Sequence, residues 1–368
     1  MVKPDELLLL HAILEKSDRM AIAYFTQWTE AVEFDKVEGG SFRLLPLLYK
    51  RLASTGQPVP HLNKLKGIYR QSLYRNSLLL HKTFSLLAEL EKMGVPVILL
   101  KGTALIAAYY EDIGARLMND VDFLVREEDV EKTLHFLHEL GWHSKYCLSL
   151  DKPAKHIHSL DLQNPDGYEL DVHWRVFYQS SWDGADLELW EQTETVVFKG
   201  MTIRILNPTL QILHNCSHGI LWNSLSPIRW IVDVLTIMEK RTDSIDWELL
   251  VSEATKRKLT MTMLHALSFL NSKFNAHIPE NVLNRLAALP KDPQELRLFQ
   301  ILTSPPRFGN MSHRWLIHSY SMGSASFWKR AAFFPDFLKN VWELQSVHQL
   351  PFYILKRIWQ KLAQRQPA

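Results

Sequence analysis

The stretch Asn119-Asp120-Val121-Asp122-Phe123-Leu124-Val125 decides the reading of this chain. Its polar and apolar residues alternate at the start, which reads as a β-strand. Successive side chains on a strand point to opposite faces. Asp120 and Asp122 therefore share one face, and Val121 and Phe123 share the other. Two neighbouring carboxylates repel unless a cation sits between them. Hard oxygen ligands at this spacing suit Mg²⁺. A solvent-facing strand has the same local pattern, so the surroundings have to decide.

Just upstream, Val95-Pro-Val-Ile-Leu-Leu100 is a short apolar run that reads as a buried strand. Lys101-Gly102-Thr103 follows, and residues 103–110 read as a helix. A glycine at a strand-to-helix turn allows close backbone approach, and a helix start favours anions. Lys101 and Arg116 are candidate phosphate ligands, Arg116 through its planar fork. Downstream, residues 127–140 read as a helix with Val130, Leu134, Leu137 and Leu140 on one stripe, closed by Gly141. Residues 156–163 and 168–175 flank Asn164-Pro-Asp-Gly167, the pattern of a hairpin. In the second arm Leu170, Val172 and Trp174 face one way, and Glu169, Asp171 and His173 the other. Asp171, central in that arm, is the candidate third carboxylate of a cluster around two metal ions. Residues 202–206 read as one more strand.

Away from this centre the chain reads as helix. Residues 77–93 repeat apolar side chains at three and four and stop at Gly94. Helices are expected over 7–15, 22–34, 210–222, 228–240, 247–256 and 261–274, and a long connection over the Ser-, Pro- and Gly-rich residues 303–325. The organisation expected is an N-terminal helical region (1–93), an α/β core (94–206), a helical domain (207–300) and a C-terminal extension (301–368). The fold class is α+β: a small mixed sheet flanked by helices on both sides in sequence.

Composition excludes several classes. The 368 residues are 46% apolar and 22% charged with a net charge of +2, which fits a globular chain and not a basic nucleic-acid binder. Two cysteines, Cys147 and Cys216, cannot make a disulfide scaffold. Acids beside the N-terminal apolar run argue against a signal peptide, and no run reaches about 18 apolar residues. A cytoplasmic protein is expected. Glycine-rich dinucleotide motifs, a P-loop and a Gly-x-Ser-x-Gly elbow are absent from the sequence.

Leu100-Lys-Gly-Thr-Ala-Leu105, Tyr109, Arg116, Asp120-Val-Asp-Phe-Leu-Val125 and Leu170-Asp-Val-His-Trp174 together resemble the uncharacterised nucleotidyltransferase-like family of the polymerase-beta superfamily. Leu213-His-Asn-Cys-Ser-His218, Arg229-Trp-Ile-Val-Asp233 and Ile245-Asp-Trp247 extend the resemblance over about residues 25 to 275. The resemblance implies a nucleotidyltransferase core with two metal ions, Mg²⁺ or alternatively Mn²⁺, on Asp120 and Asp122. It implies Asp171 as third acid and an NTP, such as ATP, whose phosphates meet Gly102 and Thr103. The expected reaction transfers an NMP to an acceptor (small molecule, peptide or sugar) and releases pyrophosphate. The alternatives are a binding or scaffold module with little catalysis, or a toxin-like enzyme acting on tRNA or protein.

Four softer candidates line an expected cleft: His173, His218, Arg229 and Asp233. His214 and His218 lie at i and i+4 without a third ligand and read as polar core or cleft groups. Arg229 and Asp233 have the spacing of a helical ion pair. Asp122, read as lying outside the core, is expected to tolerate Asn with little loss of folding. The segment 350–365 carries Phe352, Leu355, Ile358, Trp359 and Leu362 on one stripe, with Lys356, Arg357, Lys361 and Arg365 off it. It reads as a terminal helix docked on the protein's own core. The alternative is peripheral contact with a membrane surface.

Overall fold

A computed structural model describes residues 2–37, 39–144, 158–177, 184–221, 228–303, 311–322, 325–342, 344 and 346–363. Cys147 and the expected start of the hairpin at residue 156 lie outside the described residues.

Among the described residues seven strands form one mixed sheet: β1 (Ile98–Leu99), β2 (Asp120–Leu124), β3 (His143–Ser144), β4 (Ser159–Gln163), β5 (Glu169–His173), β6 (Thr193–Phe198) and β7 (Met201–Leu206). Their order is β3-β4-β5-β2-β1-β7-β6. β2 runs parallel to β5, and β1 parallel to β7; the other neighbours are antiparallel. With the surrounding helices this makes the fold α+β.

Alternation sorts the sheet into two faces. Leu99, Val121, Phe123, Leu160, Leu162, Leu170, Val172, Ile203 and Ile205 point into one core. The helix Leu62–Lys92 covers it with Leu79, Leu80, Leu86, Leu87 and Leu90, and the helix Val130–Glu139 adds Leu134 and Leu137. Each such side chain contributes about 1.5–3 kcal/mol on full burial. Ile98, Leu100, Leu124 and Leu206 belong to a second core, shared with helices from both ends of the chain. Leu9, Trp28 and Leu48 enter it from one end, and Leu213, Ile231 and Leu267 from the other. The acid-bearing half of β2 opens on this second side, where the helices Pro208–Leu221 and Arg229–Lys240 lie.

Several boundaries differ from the sequence reading. Gly94 does stop its helix, with a left-handed φ of +75°, but that helix begins at Leu62, well before residue 77. Only Ile98 and Leu99 of the apolar run pair as strand, because Pro96 has no N–H to give a ladder. The expected helix from residue 103 begins at Lys101 and turns π-helical over Ile106–Tyr110. β6 was not expected; it pairs with β7 as a hairpin.

Within the expected connection 303–325 lies a helix, Met311–Ser321. Its Trp315 packs on Phe327 and Phe334 of the helix Phe327–Val341, a tertiary contact that composition does not reveal. The last helix, Leu350–Ala363, docks by another face than the expected stripe. Leu350, Tyr353 and Ile354 join Leu338 and Trp342 in a small core, whereas Phe352, Leu355 and Trp359 are exposed.

Candidate active site

Register builds the site. In the parallel β2–β5 pair Asp122 lies opposite Asp171, and Asp120 opposite Glu169. The apolar alternates of both strands are held in the sheet's first core, so Asp122 and Asp171 share the other face. Beside them, the Leu100 N–H donates to the Asp122 carbonyl (2.9 Å) and sets Lys101 next to β2.

Lys101 completes the cluster. Its Nζ donates to Asp122 Oδ1 at 2.5 Å and lies 3.5 Å from Asp171 Oδ2. His173 Nε2 is 2.7 Å from Asp171 Oδ2 and 3.4 Å from Asp122 Oδ1. Lys101 reaches this position with a left-handed φ of +41°, a conformation that strains a side-chain-bearing residue. Asp122 and Asp171 are buried, which corrects the reading of Asp122 as lying outside the core.

Charge balance decides the ionisation. Burial works against the Asp122 carboxylate, but Lys101 and the His173 hydrogen bond outweigh it and hold its pKa below the usual range. Asp171 is likewise held low, against burial, by His173 and then Lys101. Burial alone would lower the His173 pKa; the Asp171 charge prevails and pushes it up to about 9. Asp120 is different. Its burial and the Asp122 charge push it up to about 6. Among the described residues no hydrogen bond reaches the Asp120 carboxylate.

Two cavities meet at Lys101 and His218. The first is lined by Arg43, Lys101, Gly102, Arg116, Asp120, Asp122, Asn215, His218, Arg229 and Asp233, among others. The second is lined by His158, Ser159, Asp171, His173, Phe177, His214, Ser217 and His218, with Lys101 and Val176. Burial lowers the pKa of His158 and His218 to about 3 and also lowers that of His214, so these imidazoles are neutral.

The structure thus brings Asp120, Asp122, Lys101, Gly102, Arg116, His218, Arg229 and Asp233 to the first cavity, and Asp171 and His173 to the second. Thr103 reaches neither; it is fully buried, with its hydroxyl 3.7 Å from Met118 Sδ. Gly102 is a point of close approach: a Cβ there would lie 2.8 Å from Arg116 Nη1. Arg229 and Asp233 do not pair with each other as their spacing suggested. Asp233 takes a bidentate pair from Arg116 Nε (2.8 Å) and Nη2 (2.9 Å), plus the Tyr110 hydroxyl (2.7 Å). Arg229 Nη1 donates instead to the Leu117 carbonyl. The fork-on-carboxylate geometry of Arg116 outcompetes a single helical contact.

Sequence reasoning missed Arg43, Asn215 and His158. Nothing local marks Arg43, which comes from the N-terminal helices. His158 precedes β4, and the strand's alternation alone would have put it on the face of Leu160 and Leu162.

The donor set fits a divalent cation. One ligand atom each from Asp122, Asp171 and His173 lie within 4.8 Å of one another. Asp171 Oδ1 is buried without a hydrogen-bond partner, a costly state that a bound cation would relieve.

A family described as uncharacterised nucleotidyltransferase matches residues 41–275. No curated protein matches the chain. One similar solved structure is the lincomycin-bound lincosamide antibiotic adenylyltransferase LnuA, at 13% identity over 43% of this chain and 94% of that one, with a TM-score of 0.32. Another is an antigenic nucleotidyltransferase-like protein from Paracoccidioides brasiliensis, at 15% identity over 60% of this chain and 96% of that one, with a TM-score of 0.35. With a match that covers well over half of its length, the chain belongs to the uncharacterised nucleotidyltransferase family.

Proposed function

We propose that the protein is a metal-dependent nucleotidyltransferase that moves an NMP from an NTP to an acceptor nucleophile. The observation that carries this reading is the meeting of Asp122 and Asp171, on adjacent parallel strands, beside a cavity rich in cations. Asp120, Asp122 and Asp171 would hold the metal, as Mg²⁺ or Mn²⁺, with His173 as the further donor within reach of Asp122 and Asp171. When bound, such a cation neutralises phosphate charge and lowers the pKa of the attacking group.

The chain's own groups divide the remaining work. Arg43, Lys101, Arg229 and the outer nitrogen of Arg116 offer donors for the phosphates, and Gly102 keeps the wall thin at that point. The acceptor oxygen bonds to the α-phosphorus, the bond to the α,β-bridging oxygen breaks, and pyrophosphate leaves. The acceptor's proton passes to the Asp171 carboxylate, which lines the second cavity. The second cavity would seat the acceptor. Its neutral imidazoles, the Ser159 and Ser217 hydroxyls and the Phe177 ring suit an uncharged, hydroxyl-bearing molecule.

One observation favours a second reading, a nucleotide-binding module with little turnover: the Lys101 ammonium already rests on Asp122. Incubation of α-labelled NTPs with Mg²⁺ and a cell metabolite extract separates the two. Metal-dependent label transfer that vanishes in a folded Asp122→Asn variant supports the enzyme. NTP binding by calorimetry without any transfer supports the module.

A further inference from the structure

The last helix, Leu350–Ala363, has two apolar faces and uses only one of them. Leu350, Tyr353 and Ile354 are its inward contacts, and Arg357 stacks on the rings of Trp342 (5.7 Å) and Tyr353 (5.2 Å). The spacing 352, 355, 359 puts Phe352, Leu355 and Trp359 together on the opposite face. They are 76%, 63% and 71% exposed. A single exposed apolar side chain means little, but three large ones in a row on one helix mark a surface built for contact. A second aromatic pair, Phe327 (62%) and Trp328 (79%), is exposed at the start of the neighbouring helix Phe327–Val341 and is followed by Lys329 and Arg330.

Charge says what covers this face. Residues 344–368 contain Lys356, Arg357, Lys361 and Arg365 and no acid, a charge of +4. The whole chain carries +2, so the other 343 residues carry −2. The segment with the unpartnered apolar stripe is itself basic and free of acids. Lys356 is exposed beside it. A second copy of the same face would bring like charge against like charge, which argues against a symmetric pair. A negatively charged lipid surface meets both requirements at once: aromatic and leucine side chains enter the headgroup boundary while lysines and arginines pair with phosphates. At 14 residues the helix is about 21 Å long, short of the ~30 Å needed to span a bilayer core. No helix of the described residues is long and apolar enough to cross a membrane.

We propose that the helix Leu350–Ala363 binds anionic membrane surfaces, lying in the interface on Phe352, Leu355 and Trp359 with Lys356 on the headgroups. The proposal is independent of the nucleotidyltransferase reading, since it needs no residue of the active site.

Vesicle co-sedimentation of the full chain tests it, with phosphatidylcholine alone and phosphatidylcholine mixed with phosphatidylglycerol. Binding is expected only to the mixed vesicles and should weaken at high salt. A Phe352→Ser/Leu355→Ser/Trp359→Ser variant should lose at least about tenfold in vesicle affinity, and Lys356→Glu/Lys361→Glu should lose a comparable amount. All five positions lie on one terminal helix away from the two large cores, and an unchanged unfolding midpoint confirms that each variant is folded. Absence of binding to the mixed vesicles overturns the proposal, as does binding that survives the triple substitution. A wild-type dimer in sedimentation velocity that the triple variant converts to monomer also overturns it, by assigning the stripe to a subunit interface.

Discussion

Lys101→Met isolates the role of one ammonium. It keeps the length of the side chain and removes only the charge and its hydrogen bond. In the metal-free protein Asp122 and Asp171 are then left with His173 as their nearest cation. The side chains of Lys101, Asp122 and Asp171 are 18%, 4% and 11% exposed, so water replaces little of what is lost. Removing one partner of so buried a pair costs about 3–5 kcal/mol, and the unfavourable backbone conformation of residue 101 remains unrelieved, because methionine has the same Cβ. The metal-free unfolding midpoint should fall on the order of 5–10 °C. Mg²⁺ or Mn²⁺ should restore the variant by more than it stabilises the wild type, where an incoming cation has to displace the lysine. Thermal unfolding with and without metal, by circular dichroism, measures both. An unchanged metal-free midpoint, together with equal metal-induced shifts in the two proteins, would refute the view that Lys101 keeps these acids ionised.

Three further outcomes follow from the same geometry. Gly102→Ala gains at most about 1 kcal/mol of helix propensity but presses on Arg116 and Met118. Arg116 is clamped by Asp233 and cannot yield freely, so overpacking of about 1–3 kcal/mol prevails, and a urea midpoint at or above wild type would contradict this. Asp233→Ala strands Arg116 in a buried site and removes the acceptor of Tyr110; a loss of about 3–5 kcal/mol is expected in urea unfolding, and a loss below about 1 kcal/mol, the range of an exposed pair, would contradict this. His173 is raised from 6.5 to about 9, so its imidazolium stabilises the fold fully below pH 6.5, and that contribution fades as pH rises through 9. The metal-free midpoint should therefore decline between pH 6.5 and 9 and do so less in His173→Gln; parallel curves for the two proteins would rule His173 out as the cause.

Much of the centre was legible because strand periodicity is short and strict. Asp120-Val-Asp122 and Leu170-Asp-Val172 each announce a polar and an apolar face, and Asn164-Pro-Asp-Gly167 announces the turn that leads into β5. The helix Trp247–Lys256 has the bounds expected from the sequence, and Asp246 caps it by accepting from the Leu249 N–H. What stayed hidden depends on partners distant in sequence. Thr193–Phe198 becomes a strand by pairing with β7, and Arg43 joins the first cavity only through the packing of the N-terminal helices. Lys101 was read as a phosphate ligand from its place in a turn; that its ammonium lies on Asp122 follows from tertiary geometry. The exposed stripe of the last helix was misjudged because periodicity locates an apolar face but does not say whether another part of the molecule covers it.

The pairing of β2 with β5 makes the length of β5 a critical dimension of the protein. One residue inserted just before Asp171 would itself lie opposite Asp122 and move the third acid opposite Phe123, toward the apolar layer. Substitutions along the strand can be graded in their effect, whereas a change of length there has no mild form. The turn at residues 164–167 is the place where added residues would leave that alignment intact.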